Sequence, residues 1–217
     1  MPRARCNQCQ NPLVSCICKW ISPVFNNTAI VILQHPDEVK KPLGTAKIVS
    51  LSLQNAIIKV GVDFSTDTQL HSLIDSPERD LAILYPSDSA LDLQDWCKKS
   101  ESNNADNATP NGNKTLVVLD GTWRNTREIM NVNPALKTIP TVKLAPLNQS
   151  NYRIRKAPFA GSLATVEAIS QALNILEPET PVDSMNRCFE NMIDYQISRM
   201  GPDVYQSNYS EPSDSAG

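Results

Sequence analysis

Four apolar residues, Leu116-Val117-Val118-Leu119, run straight into Asp120-Gly121-Thr122-Trp123, and a helical pattern follows. A continuous apolar run of strand length suits a strand buried on both faces, as in parallel sheets. Here it stops on a carboxylate, a glycine, a hydroxyl and an indole. In open α/β sheets ligands sit outside the carboxyl ends of strands. The corner therefore predicts both a fold class and the floor of a site.

The rest of the chain repeats the pattern. Strands are expected at Thr28–Leu33, Ala56–Val60, Leu81–Tyr85, 115–119 and Ile139–Leu144. Residues 43–54 alternate between helix and strand readings; helix is favoured, with Ile48, Leu51 and Leu53 partly inward. Further helices are expected over Ala90–Trp96, Trp123–Val132 and two late segments. Leu163, Val166, Ile169, Leu173 and Leu176 recur at helical spacing, as do Met185, Phe189, Met192, Ile193, Ile197 and Met200. Alternation of strands and helices predicts an α/β domain with a largely parallel sheet and helices on both faces. With 217 residues the chain suffices for one sizeable domain and small appendages. The expected division is a cysteine knob at 1–24, the α/β domain at 25–200 and a disordered acidic tail at 201–217. A polar run at 98–114 reads as a flexible insertion.

Glycine is scarce, 7 residues, and neither Gly-x-Gly-x-x-Gly nor a P-loop occurs, which argues against the usual dinucleotide and ATP folds. No apolar stretch is long enough to cross a membrane as a helix, and no secretory leader is seen, so a cytoplasmic protein is expected. The net charge of −3 hides an asymmetry. The last segment carries Asp203, Glu211 and Asp214 and no base. Residues 1–20 carry Arg3, Arg5 and Lys19 and no acid. Residues 121–156 carry Arg124, Arg127, Lys137, Lys143, Arg153, Arg155 and Lys156 against Glu128 alone. Two basic segments of this kind either attract a polyanion or solvate helix faces.

Four of the six cysteines, Cys6, Cys9, Cys16 and Cys18, fall within thirteen residues. Two close thiolate pairs on a short loop can wrap a tetrahedral Zn²⁺. An iron–sulfur cluster is the alternative, since thiolates alone do not choose the metal. Four sulfur ligands leave no open position, so such a metal is structural. Cys97 and Cys188 read as ordinary core residues.

At the corner itself, Asp120 can serve as general base, bond a substrate amide, or cap the helix that follows. Gly121 allows close backbone approach or positive φ. Thr122 can cap the helix or bond a ligand. Trp123 can stack on a base or anchor the first helical turn.

Several segments together resemble the DTW-domain family, from Cys6 to about Met200. They are Asp120-x-Thr122-Trp123, Cys6-x2-Cys9…Cys16-x-Cys18, His35-Pro36-Asp37-Glu38, Tyr85-Pro86-Ser87 and Leu163-Ala164-Thr165-Val166-Glu167-Ala168. Ala164 stands where that family usually has Ser. Leu43-Gly44-Thr45-Ala46-Lys47 keeps only Thr and Lys of its Asn-Thr-Gly-basic pattern. The family is known as tRNA-uridine aminocarboxypropyltransferases. The resemblance implies transfer of the 3-amino-3-carboxypropyl group of S-adenosylmethionine to N3 of a tRNA uridine, in the variable loop as in bacterial members. It also implies kinship with SPOUT enzymes, whose cofactor sits in a C-terminal trefoil knot. On that model Tyr85, Pro86, Ser87, Leu119, Asp120, Gly121, Ser162, Leu163 and Thr165 line the cofactor pocket. Asp120, Thr122 and Trp123 are the expected catalytic group. Arg3, Arg5, Lys19, Arg124, Arg127, Tyr152, Arg153, Arg155 and Lys156 are expected to meet tRNA, with no membrane or obligate protein partner. The residues alone also admit a SPOUT-type RNA methyltransferase, or a zinc-bearing RNA-binding protein without catalysis.

Overall fold

The computed structural model describes residues 4–41, 43–103, 114–145, 153–154 and 163–209. Its centre is a sheet of β1 (Ala29–Gln34), β2 (Ala56–Val60), β3 (Asp80–Leu84), β4 (Leu91–Asp92), β5 (Lys114–Asp120) and β6 (Thr141–Lys143). The order is β2-β1-β5-β3-β6-β4, and every pairing is parallel. All the carboxyl ends therefore open at one edge.

Alternation along the strands divides the core. Ile30, Ile32, Leu116, Val118 and Ala82 face one side. There they meet α2 (Ala46–Ser52), α4 (Leu93–Asn103), α6 (Thr165–Leu176) and α7 (Asp183–Met200). Val31, Leu33, Val117 and Ile83 face the other side, with Leu70 of α3 (Thr68–Ile74), Ile129 of α5 (Trp123–Val132) and the 3-10 turn at Pro134–Thr138. A short α1 (Pro36–Val39) follows β1.

The connections locate the site. From β1 the chain goes to β2 on one flank; from β5 it goes past β3 to β6 on the other. Adjacent strands whose exits diverge leave a crevice between them, the switch point where open α/β sheets bind ligands. Here the switch lies between Gln34 and Asp120.

Several boundaries differ from expectation. Lys98–Asn103, expected in the flexible insertion, complete α4, because Leu93, Trp96 and Cys97 bury its first turns. Ser100 on the same helix donates to Asp80. Lys114, at the other end of the insertion, is buried at the start of β5 with Nζ 3.5 Å from Cys97 Sγ. Residues 104–113 lie outside the described residues. Pro202–Tyr209, expected in the disordered tail, form α8. Gly201 at φ +86° ends α7 and redirects the chain, and stacked Tyr205 and Tyr209 pack on the core. The fifth expected strand shortens to Thr141–Lys143, because the preceding residues close the turn after Pro134. The trefoil knot would involve residues 146–162, of which only Arg153 and Ile154 are described.

The cysteine knob is not a detached module. Cys9 and Ile17 are buried in the main core. Asn11 accepts from Lys47 Nζ of α2 at 3.1 Å, and Trp20 meets Tyr195 of α7 at 6.1 Å between ring centroids. Tyr195 also donates its hydroxyl to Val14 O.

Candidate active site

β1 and β5 end side by side, with Gln34 paired to Asp120 in register. Gln34 Nε2 donates to Asp120 Oδ2 at 2.8 Å, and the Thr165 hydroxyl donates to Oδ1. Asp120 thus joins both central strands to the N-terminus of α6, and only 8 % of it is exposed. These two donors help to compensate the burial of a carboxylate. Asp120 is not the cap of α5. That position belongs to Thr122, whose Oγ1 accepts from Asn125 N at 3.3 Å.

Gly121 is required by space and not by a left-handed backbone. A Cβ there would lie 3.0 Å from Asn125 Cβ and 3.6 Å from His35 Cβ. His35 follows Gln34 and caps α1 by accepting Asp37 N–H on Nδ1 at 3.2 Å. The Asn125 amide meets the same Nδ1 at 3.1 Å, so the ring proton belongs on Nε2, which faces Glu128 Oε2 at 3.7 Å. This buried network fixes α5 against β1 across the glycine.

On the β3 side, Tyr85 N donates to Val142 O and Ser87 Oγ bonds Thr141 Oγ1 at 2.8 Å, so this strand end is tied to β6. Tyr85 meets Trp123 edge-on, with centroids 5.5 Å apart and planes at 81°. Tyr85, Pro86, Ser87, Asp88, Trp123 and Arg127 line an open cavity of about 490 Å³, within the usual size range of small-molecule sites.

The structure thus brings together the Tyr85, Asp120–Trp123 and Thr165 segments, which are distant in sequence. The Leu119 side chain instead turns toward the core beneath α5. Leu163 is half-buried ahead of α6, and Ser162 lies outside the described residues. At Ala164, the N-cap of α6, the backbone N–H donates to Glu167 at 2.7 Å, while the alanine side chain offers no acceptor in return.

Of the expected RNA contacts, Arg124 and Arg127 are exposed on α5, one turn apart. Arg153 pairs with Asp194 of α7. Arg5 donates to Gln10 O at 2.8 Å within the knob, and Lys19 Nζ sits 4.3 Å from the Trp20 ring centre. Arg3, Tyr152, Arg155 and Lys156 lie outside the described residues. Sequence reasoning missed three participants, Gln34, Asn125 and Asp88. Gln34 carried a signal, a polar residue ending an apolar strand; Asp88 follows Tyr85-Pro86-Ser87 directly.

The four knob thiols, Cys6, Cys9, Cys16 and Cys18, lie within 4.8 Å of one another. Cys6 and Cys18 are 3.6 Å apart, Cys9 and Cys16 3.8 Å. Tetrahedral ligands at a Zn–S length of about 2.3 Å stand about 3.8 Å apart, so the cage fits that ion. Without a cation the thiols titrate apart. Backbone N–H groups of Cys9 and Gln8 hold Cys6 down to about 6, whereas burial and neighbouring sulfurs push Cys18 up to about 12.

An α/β domain whose switch-point crevice carries Asp-Gly-Thr-Trp beside an aromatic pocket, with a thiolate cage packed on its flank, defines the class. The model of the DTW domain matches residues 3–197, and the chain belongs to that family. It is 32 % identical over 203 residues to a Drosophila melanogaster protein named tRNA-uridine aminocarboxypropyltransferase 2, covering 90 % of this chain and 76 % of that one. A mouse protein of the same name is 26 % identical over 200 residues, and the match spans 64 % of its length. An Arabidopsis thaliana protein named tRNA-uridine aminocarboxypropyltransferase A is 24 % identical over 199 residues, 82 % of this chain and 74 % of its own. No solved structure matches. Among the described residues, no helix is long and apolar enough to cross a membrane.

Proposed function

We propose that this chain transfers the 3-amino-3-carboxypropyl group of S-adenosylmethionine to N3 of a tRNA uridine and releases methylthioadenosine. The observation that carries the reading is the juxtaposition of a doubly anchored Asp120 with the Tyr85–Trp123 pocket. Asp120 ends β5 three residues before Trp123, which lines that pocket, in a chain of the DTW family. The relatives' names supply the reaction class.

S-adenosylmethionine is the co-substrate and supplies an electrophilic carbon on its sulfonium. Asp120 takes the N3 proton of the uridine, a contribution of about 10²–10⁴-fold for a well-placed base. The N3–Cγ bond forms as the Cγ–S bond breaks, and its electron pair leaves on sulfur as a neutral thioether. Gln34 and Thr165 hold the carboxylate in place at the strand end. Thr122 fixes the first turn of α5, and Trp123 or Tyr152 stacks on the unstacked uridine. Tyr85, Pro86, Ser87, Gly121, Ser162, Leu163 and Thr165 supply the donor site. The reading also implies a SPOUT-like C-terminal trefoil knot, whose loop leading to Leu163 lies outside the described residues. Arg3, Arg5, Lys19, Arg124, Arg153, Arg155 and Lys156 hold tRNA phosphates, which position the substrate without reading sequence. The thiolate cage holds a structural Zn²⁺, and the protein acts on tRNA variable loops in the cytoplasm.

The test is incubation with unmodified tRNA and S-adenosylmethionine, followed by mass spectrometry of nucleosides and by-product. Aminocarboxypropyluridine with methylthioadenosine is expected. S-adenosylhomocysteine with a methylated nucleoside would make the chain a methyltransferase. Bound tRNA with neither product would make it a binding protein.

A further inference from the structure

The pocket beside Trp123 holds two charges of opposite sign. Asp88 follows the Tyr85-Pro86-Ser87 strand end, and Arg127 lies one helical turn beyond Trp123 on α5. Both line the same cavity of about 490 Å³ and both are exposed. Among the described residues no ion pair commits either of them. The neighbouring acid on α5, Glu128, is turned to His35 instead. The Tyr85–Trp123 edge-to-face pair lines the same cavity, and aromatic π-faces attract cations.

We infer that Asp88 and Arg127 clamp the amino-acid end of the donor, Arg127 on its α-carboxylate and Asp88 on its α-ammonium, while Tyr85 and Trp123 border its sulfonium. The inference rests on the donor reading above and adds which residues read which charges. The donor presents two cations and one anion, and the cavity offers an aromatic pair, a carboxylate and a guanidinium. Arginine's planar fork suits a carboxylate in two-pronged fashion.

The clamp has a consequence for regiochemistry. A sulfonium has three electrophilic carbons, and the one held in line with the nucleophile reacts. Fixing the far end of the aminocarboxypropyl arm restricts its Cγ, the carbon that must face uridine N3. Arg127 then leaves the set of expected phosphate contacts and becomes a donor-binding residue.

Calorimetric titration of the full chain with S-adenosylmethionine, decarboxylated S-adenosylmethionine and methylthioadenosine tests the clamp, with tRNA affinity measured alongside. Wild type should prefer S-adenosylmethionine to the decarboxylated donor by about tenfold or more, in line with one charge-assisted contact. R127Q should weaken S-adenosylmethionine binding by about 10- to 100-fold and leave the decarboxylated donor and tRNA within about twofold. D88N should weaken both amine-bearing donors and spare methylthioadenosine. Equal effects of R127Q on all three ligands overturn the assignment. So does an R127Q that binds every donor normally but loses tRNA, which makes Arg127 a phosphate contact and leaves the transferase reading intact. A wild-type chain that binds tRNA and none of the donors overturns that reading and the clamp together.

Discussion

Gln34 and Asp120 stand opposite each other at the ends of β1 and β5, and the glutamine amide donates to Asp120 Oδ2 at 2.8 Å. This pair occupies the point where the two chain directions part. Thr165 closes the other side of the carboxylate. Asp120 is therefore a fastener between the strands and helix α6, and a carboxylate at the floor of the crevice.

Those two duties can be separated by substitution. D120N keeps the size and one acceptor oxygen, so Thr165 can still donate, while the new amide faces the Gln34 amide. We expect transfer to fall by at least about 100-fold, within the range for a lost base. Thermal stability should fall by a few degrees at most, and S-adenosylmethionine should still bind. Single-turnover assays, circular dichroism melts and calorimetry on one preparation decide the matter. Normal turnover in D120N would reduce Asp120 to a fastener.

Gly121 tests how tightly the corner is packed. An added Cβ meets Asn125 Cβ at 3.0 Å, the atom that carries the amide on His35. The clash involves the helix itself and not a mobile side-chain tip, so α5 must move. G121A should cost about 1–3 kcal/mol in urea unfolding, the usual range for overpacking. Moving α5 also displaces Trp123 from Tyr85, so donor affinity should fall too. A variant as stable as wild type would show that the corner yields.

The sheet was legible because its central strands β1 and β5 are buried on both faces and read as unbroken apolar runs, as at Leu116–Leu119. Helix α5 was legible from its periodicity, with Thr122 at its start. The short α1 and β4 were not, since four residues or two carry no period. Residues 98–103 looked too polar to pack, and Trp96 and Cys97, just upstream, are what bury α4. Of the site, the strand-end residues stood out as polar breaks after apolar runs. The partnership of Asp120 with Gln34 and Thr165 is a product of strand order and helix docking. No spacing in one sequence encodes it.

The thiolate cage should behave as part of the core. Cys9 is fully buried and clusters with Ile17 and Val24, and the cage geometry suits a tetrahedral ion. One Zn²⁺ per chain should be released on mercurial titration. Chelation, or C9S, should lower Tm by roughly 5 °C or more, since about 1 kcal/mol moves Tm by 2–4 °C at this size. A melt unchanged after complete metal loss would detach the cage from folding. An absorption band of iron–sulfur type would replace zinc with a cluster.

Glu177, after α6, gives the fold an acid-sensitive joint. Its carboxylate accepts from Asn27 N at 2.8 Å, from Thr28 N and from the Thr180 hydroxyl at 2.9 Å, tying α6 to the start of β1. Burial pushes its pKa up, but these donors outweigh it and hold the group below its ordinary 4.5. A native pKa below the unfolded one means that the unfolded chain binds more protons as pH falls through this window. The stabilisation is therefore complete above about pH 4.5 and is lost as pH drops through the lowered native value. E177Q keeps one acceptor oxygen but no charge, so it should be less stable than wild type near neutrality. Urea midpoints of the two proteins should converge as pH is lowered from about 6 to about 3. A gap that stays constant across that range would show that the charge on Glu177 contributes nothing to the joint.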